Sequence, residues 1–205
     1  PTEERPGLKV GALLPREDAR DALISRSGLP LDRLPSGAVI GTSSLRRRSQ
    51  ILARRPDLRV EDMRGNVPTR IARLEEGRID AIVVAAAGLR RLKLIDRATE
   101  LIDEALMLPA PGQGVLAIQM RSDDRITEEA VRTLHDAAAS AEATAERALL
   151  RGLGGGCIVP VGARAHAKGA TLELSAFVGH PTGRPSIRMN ASSAIEGADD
   201  LGRAL

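Results

Sequence analysis

The sequence predicts an α/β protein, and three observations carry that prediction. Short apolar runs alternate with helix-like segments between residues 20 and 108. One run, 80–86, is apolar almost without interruption, as a strand is when both faces of a parallel sheet are covered. After the Gly154-Gly155-Gly156 break the pattern changes to short strand-like runs and a final helical stretch, which marks a second, smaller α/β unit.

Each element has a local reason. Residues 1–15 read as a tail entering a strand at 8–14, and 20–25 are strand-like. A turn-rich connection at 28–35 leads to a short buried strand, Val39-Ile40, that ends at Gly41. Thr42-Ser43-Ser44 then offers N-cap hydroxyls for a helix reaching about Arg55 and closed by Pro56. A second strand is expected at 58–62, and a second helix at 66–76 that Gly77 ends. The apolar strand 80–86 feeds another helical segment from Ala87-Gly88. Residues 108–114 form a turn-rich crossing, and 115–120 a strand able to return to a different sheet. One long helical region is expected over 126–152, strands at 159–165, 171–178 and 186–190, and a helix from 198 to 205.

Composition narrows the function. The chain has 205 residues, 42% hydrophobic and 28% charged, with a formal net charge of +3, an ordinary globular composition. One Phe and no Tyr or Trp argue against base stacking, and the small net charge argues against a polyanion binder, so no nucleic-acid partner is expected. The longest apolar run, 81–89, has the length of a strand, so no membrane partner is expected either. One cysteine excludes an internal disulfide and a multi-cysteine zinc site, and three scattered histidines make a metal site improbable. The single thiol suits a reducing cytosol. The start at Pro1 suggests that an N-terminal part is missing.

Three segments hold the chemistry. Gly41-Thr42-Ser43-Ser44-Leu45-Arg46-Arg47-Arg48 joins a strand end to a helix start, where unpaired N–H groups and the helix dipole favour anions. Hydroxyls and guanidiniums there would add charge-assisted bonds, although an N-cap followed by a solvated basic helix reads equally well. Met63-Arg64-Gly65-Asn66-Val67-Pro68-Thr69-Arg70 repeats the arrangement. Two such junctions in one parallel sheet converge on its carboxyl edge, where open α/β sheets bind ligands, which favours the anion site. Arg54, Arg55, Arg59 and Arg73 read as surface charges. In Gly154-Gly155-Gly156-Cys157-Ile158-Val159-Pro160 three glycines clear space beside one thiol, so that a group can approach the sulfur. A lone cysteine is more often an inert buried side chain, and spacing does not settle the matter. His135 and His166 read as structural.

Together these segments resemble hydroxymethylbilane synthase, the porphobilinogen deaminase family. Gly41–Arg47 is similar to its basic helix start, 64–70 to its Arg-Gly-Asn element, 108–114 to its Leu-Pro-Ala-x-Gly-Gln-Gly crossing, 80–92 to its apolar strand and Ala-Gly-Leu-x-Arg, and Gly155-Gly156-Cys157 with Pro160 to its cofactor loop. The resemblance implies an enzyme that joins four porphobilinogen molecules head to tail, releases ammonia at each step, and hydrolyses off hydroxymethylbilane for tetrapyrrole synthesis. It implies a dipyrromethane cofactor held as a thioether on Cys157. It implies that Thr42, Ser44, Arg46, Arg47, Arg64 and Arg70, with Arg91 and Gln113 as weaker candidates, bind the carboxylates of cofactor and growing pyrrole chain. Arginine suits that task because its planar fork matches a carboxylate and its charge persists.

The implied fold is a periplasmic-binding-protein-like α/β domain plus a small C-terminal α/β domain carrying the cofactor cysteine. Residues 1–19 would be a remnant of domain 1, 20–108 domain 2, 109–136 the crossing and return to domain 1, and 137–205 an incomplete domain 3. A cytoplasmic monomer is implied. The family's Ser-Met-Lys-Asp-Val-Pro stretch would place its catalytic aspartate just before Pro1. The expectation is therefore that the chain holds no catalytic residue, does not turn over by itself, and is poorly stable because 115–132 lacks the sheet it would join. The competing readings are a non-catalytic anion-binding module of periplasmic-binding-protein type, for which Cys157→Ala would be silent, a basic nucleic-acid binder, and a degenerate remnant.

Overall fold

The computed structural model describes residues 5–154 and 159–205. The described elements, in chain order, begin with β1 (Leu8–Leu13), β2 (Asp21–Ser25), β3 (Val39–Gly41), α1 (Leu45–Arg54), β4 (Arg59–Glu61), α2 (Val67–Glu75), β5 (Ala81–Ala85) and α3 (Ala86–Arg91). They continue with β6 (Glu100–Leu101), β7 (Ala117–Arg121), α4 (Arg125–Arg132), α5 (Ala137–Gly152), β8 (Val161–Lys168), β9 (Thr171–Gly179), β10 (Ser186–Ala194) and α6 (Ala198–Ala204).

The largest sheet has the order β4-β3-β5-β2-β6. Strand β3 is parallel to β4 and β5, whereas β2 runs antiparallel to β5 and β6. The sheet is thus mixed, where the alternation of elements predicted a parallel one: β2 follows β1 through residues 14–20, not a preceding helix. Alternate residues of β2 and β5 feed two cores. Leu23, Ala81 and Val83 pack with Ile40, Ile51 and Ile102 on one face, and Ala22, Ile24, Ile82 and Val84 with Ile71, Leu74 and Leu89 on the other. Helix α1 therefore covers one face and α2 with α3 the other, which explains why β2 and β5 are apolar throughout.

The helix starts follow their caps. Ser44 Oγ accepts from Arg47 N at 3.4 Å, and Asn66 Oδ1 from Thr69 N at 2.9 Å, with Pro68 in the first turn where it removes no needed donor. Gly77 ends the α2 region with φ of +86°, a conformation costly for other residues.

Strand β7 pairs antiparallel with β1, and the ladder continues through Leu14 N to Leu116 O and Glu17 N to Gly114 O. This corrects the expectation that 115–132 has no sheet to join: β1 is its partner. The predicted single helix over 126–152 is two helices. Residues 133–136 separate them, because Asp136 N donates to Leu13 O and its carboxylate caps α5 through Ala139 N at 2.7 Å. The third sheet is the antiparallel meander β10-β9-β8, whose inner face packs Ala163, Leu172 and Leu174 against Ala145, Leu149 and Leu201 of α5 and α6. Among the described residues no helix is long and apolar enough to cross a membrane.

Candidate carboxylate-binding site

The parallel pairing of β3 with β4 brings the two basic junctions to one sheet edge. Thr42 N donates to Glu61 O, and Ser43 Oγ donates to Met63 O at 3.0 Å, so the loops are bonded to each other before their helices begin. Thr42 is fully buried, and its Oγ1 accepts from Ser44 N at 3.2 Å. Thr42 and Ser44 thus shape the turn, and Ser44 caps α1.

At the start of β2, Asp21 is fully buried under this turn. Its Oδ2 accepts from Arg46 Nη1 at 2.6 Å, and its Oδ1 from Arg47 Nη2 at 2.8 Å, Arg47 Nε at 3.1 Å and Gln113 Nε2 at 3.0 Å. Burial pushes the Asp21 carboxyl pKa up, but the charges and hydrogen bonds of Arg46 and Arg47 outweigh it and hold the group far below the usual carboxylate range. Arg46 is 5% exposed and also donates to Leu108 O at 2.7 Å and Gln113 Oε1 at 3.3 Å. Gln113 donates as well to Ala19 O at 2.6 Å. Of the sequence-predicted residues, Arg46 and Gln113 are therefore turned inward. Arg47 is nearer the surface and gives its third bond to Val83 O at 3.1 Å.

Arg70 stands on α2 with Nε donating to Gly65 O at 2.9 Å. Burial and then the nearby Arg47 guanidinium lower its pKa, so two cations from separate helices share one field. Arg64 is exposed in the loop before α2, and Arg91 is exposed at the end of α3; among the described residues neither side chain has a hydrogen bond or ion pair. The structure thus gathers Arg46, Arg47 and Gln113 around Asp21, places Thr42 and Ser44 in the turn that starts α1, puts Arg70 on the adjoining helix within the field of Arg47, and leaves Arg64 and Arg91 as outlying charges. Cys157 lies outside the described residues. Arg54, read as a surface charge, pairs with Asp32 at 2.6 Å in the open.

A second ionic cluster joins the crossing to the C-terminal sheet. Glu146, fully buried on α5, accepts from Arg16 Nη2 and Ala165 N at 2.9 Å and from Gly112 N at 2.6 Å. Burial raises its pKa, against the opposing pull of Arg16 and those backbone donors. Glu142, one turn earlier, takes Arg164 Nη1 at 2.7 Å and lies 2.9 Å from Arg16 Nε. His166 Nε2 meets Glu104 Oε2 at 2.7 Å, in keeping with a structural histidine.

Sequence reasoning passed over Asp21 and Glu146. An aspartate opening an otherwise apolar strand, and glutamates four apart on an alanine-rich helix, were the available signals. Both mark a buried acid that needs a cationic partner. Among the described residues no cluster of His, Cys, Asp and Glu could hold a metal. What the edge offers is an array of planar cations and N–H donors around a buried carboxylate that is already occupied, and such donors are chemically suited to carboxylates.

Residues 1–129 match the family model described as porphobilinogen deaminase, dipyromethane cofactor binding domain, and residues 140–205 the one described as porphobilinogen deaminase, C-terminal domain. The chain is 48% identical over 203 residues to a porphobilinogen deaminase of Thermus thermophilus, covering 98% of this chain and 67% of that protein. It is 46% identical over 206 residues to that of Deinococcus radiodurans, with coverage of 100% and 67%. It is 48% identical over 194 residues to that of Acidithiobacillus ferrooxidans, with coverage of 95% and 63%. The chain thus spans about two thirds of the length of these curated relatives.

Proposed function

The chain belongs to the porphobilinogen deaminase family, and from that premise we propose that it serves the family's reaction, the head-to-tail joining of four porphobilinogen units with loss of ammonia, ending in hydroxymethylbilane. The observation that supports this most directly is that the two basic strand-to-helix junctions, which lead to Arg47 and Arg70, are bonded to each other at one sheet edge. Arg47 keeps N–H donors beyond its bonds to Asp21 and Val83 O, and Arg64 has no side-chain partner among the described residues, so the edge can take a further anion. Porphobilinogen and every chain built from it carry acetate and propionate groups.

The donor set fits a dipyrromethane cofactor in the same way, since its carboxylates match planar guanidiniums. When bound through the Cys157 thioether, that cofactor supplies the pyrrole carbon to which new units join. In this reading Arg47, Arg64 and Arg70 take ligand carboxylates, Thr42 and Ser44 shape the turn that presents them, Arg46 and Gln113 act from behind, and Arg91 guides anions from the rim. The four-part division at 1–19, 20–108, 109–136 and 137–205 is part of the same proposal. The gap between the two family matches, after 129 and before 140, supports its last boundary. A monomer in the cytoplasm completes the reading, and the single thiol suits that reducing compartment.

Intact-mass spectrometry of the chain after exposure to porphobilinogen tests the reading. The expected result is a covalent pyrrole adduct on the natural chain and none on Cys157→Ala. Each protein at the mass of its own unmodified sequence would reject attachment at Cys157 in favour of a binding module without catalysis.

A further inference from the structure

Arg46 and Arg47 are adjacent on α1, so their side chains leave the helix roughly 100° apart. Two adjacent guanidiniums would diverge and repel, yet here both reach one carboxylate at the start of β2. Asp21 has no exposed surface, so it touches no ligand itself. The bonds it makes sort the two arginines. Both terminal nitrogens of Arg46 are occupied, by Asp21, Leu108 O and Gln113 Oε1. Arg47 binds Asp21 through Nε and Nη2 and Val83 O through Nη1, which leaves an N–H on each terminal nitrogen.

We propose that Asp21 is a positioning residue of the carboxylate site: it turns Arg46 into an internal strut and holds Arg47 rigid, with unpaired N–H donors left for a ligand carboxylate. Glu61 O and Met63 O, which tie the two junction loops, keep the second helix in register with this arrangement. The inference rests on the functional reading above and adds the source of its selectivity. A fixed planar fork prefers a carboxylate of matching geometry, whereas mobile cations attract any anion.

The sign of the effect separates this role from simple charge balance. Asp21→Asn removes a negative charge beside the cations, and by Coulomb's law alone every anion should then bind more tightly. The positioning role predicts the reverse for the matched ligand. Calorimetric titration of the whole chain, Asp21→Asn and Asp21→Glu with porphobilinogen and with inorganic phosphate at low salt decides it. The expected result for Asp21→Asn is porphobilinogen binding weakened about tenfold, the size of one lost charge-assisted contact, with phosphate binding unchanged or tighter. Asp21→Glu keeps the charge and changes only the reach, and is expected to weaken porphobilinogen about fivefold with phosphate unmoved. It decides the question if Asp21→Asn does not fold.

Porphobilinogen affinity equal to or tighter than that of the natural chain in these variants overturns the proposal, while the functional reading stands. Porphobilinogen and phosphate affinities that fall together also overturn it, because Asp21 would then be merely structural. A natural chain that takes up no porphobilinogen overturns the functional reading, and this inference with it.

Discussion

Two buried carboxylates, Asp21 and Glu146, sit in similar surroundings and are held in opposite ways. Asp21 has two guanidiniums bonded to it directly, at 2.6 and 2.8 Å. Glu146 has Arg16 at 2.9 Å and Arg164 only at 3.7 Å, and it shares both with Glu142. Burial opposes ionisation at each site. At Asp21 two unshared positive charges overcome it, and at Glu146 they do not. The difference teaches that the ratio of guanidiniums to carboxylates, not burial, decides how a buried acid behaves. It also separates two tasks. Asp21 organises cations at a sheet edge, whereas Glu146 ties Arg16 of the β1–β2 connection, Gly112 of the crossing and Ala165 of β8 into one piece.

The comparison breaks first, and by the largest amount, at Asp21. Asp21→Asn leaves the buried Arg46 and the partly buried Arg47 uncompensated and should cost about 3–5 kcal/mol in urea unfolding. A loss below about 1 kcal/mol would mean that the arginines find other partners. Glu146→Gln keeps acceptor and shape, resembles the neutral form that burial favours, and should cost less, below about 1 kcal/mol near neutral pH.

The pH dependences should have opposite signs. Asp21 has its pKa lowered in the folded state, so its stabilisation is present above the unfolded value of about 3.9 and is lost as pH falls toward the folded value. Glu146 has its pKa raised, so its contribution is present below the unfolded value of about 4.3 and is lost as pH rises through the folded value. Thermal melts from acid to neutral pH should therefore show the gap between natural chain and variant closing toward acid for Asp21→Asn and closing toward high pH for Glu146→Gln. Gaps that close in the same direction would remove the distinction between the two sites.

Small effects sharpen the scale. Asn66→Ala removes the α2 cap and should cost about 1 kcal/mol, measured by the same unfolding, while loosening the loop that carries Arg64 and the first turn of the helix that carries Arg70. Asp32→Asn breaks the exposed pair with Arg54 and should change stability by less than about 1 kcal/mol. An exposed pair that matched Asp21 in cost would undo the argument from burial.

Much of this molecule is legible in the chain. Ser44 and Asn66 are capping residues followed by helical sequence, Gly77 marks a stop, and the apolar run around Val83 identifies a strand covered on both faces. These signals are local, acting over a few residues through backbone hydrogen bonds and side-chain periodicity. The family resemblance, carried by short motifs in a fixed order, is likewise a property of the sequence. So is the reading that the junctions leading to Arg47 and Arg70 converge, because parallel strands place successive junctions on one edge.

What only the tertiary structure decided is long-range. The antiparallel entry of β2, the pairing of β7 with β1, and the break between α4 and α5 at Asp136 all depend on partners far away in sequence. The partners of the arginines depend on them too. Arg46 and Arg47 look alike in the sequence, yet one becomes internal and the other stays near the surface. Asp21 is 25 residues from Arg46 and Gln113 is 92 from Asp21. A buried charge takes whichever opposite charge the packing brings within about 3 Å, and no local propensity carries that information.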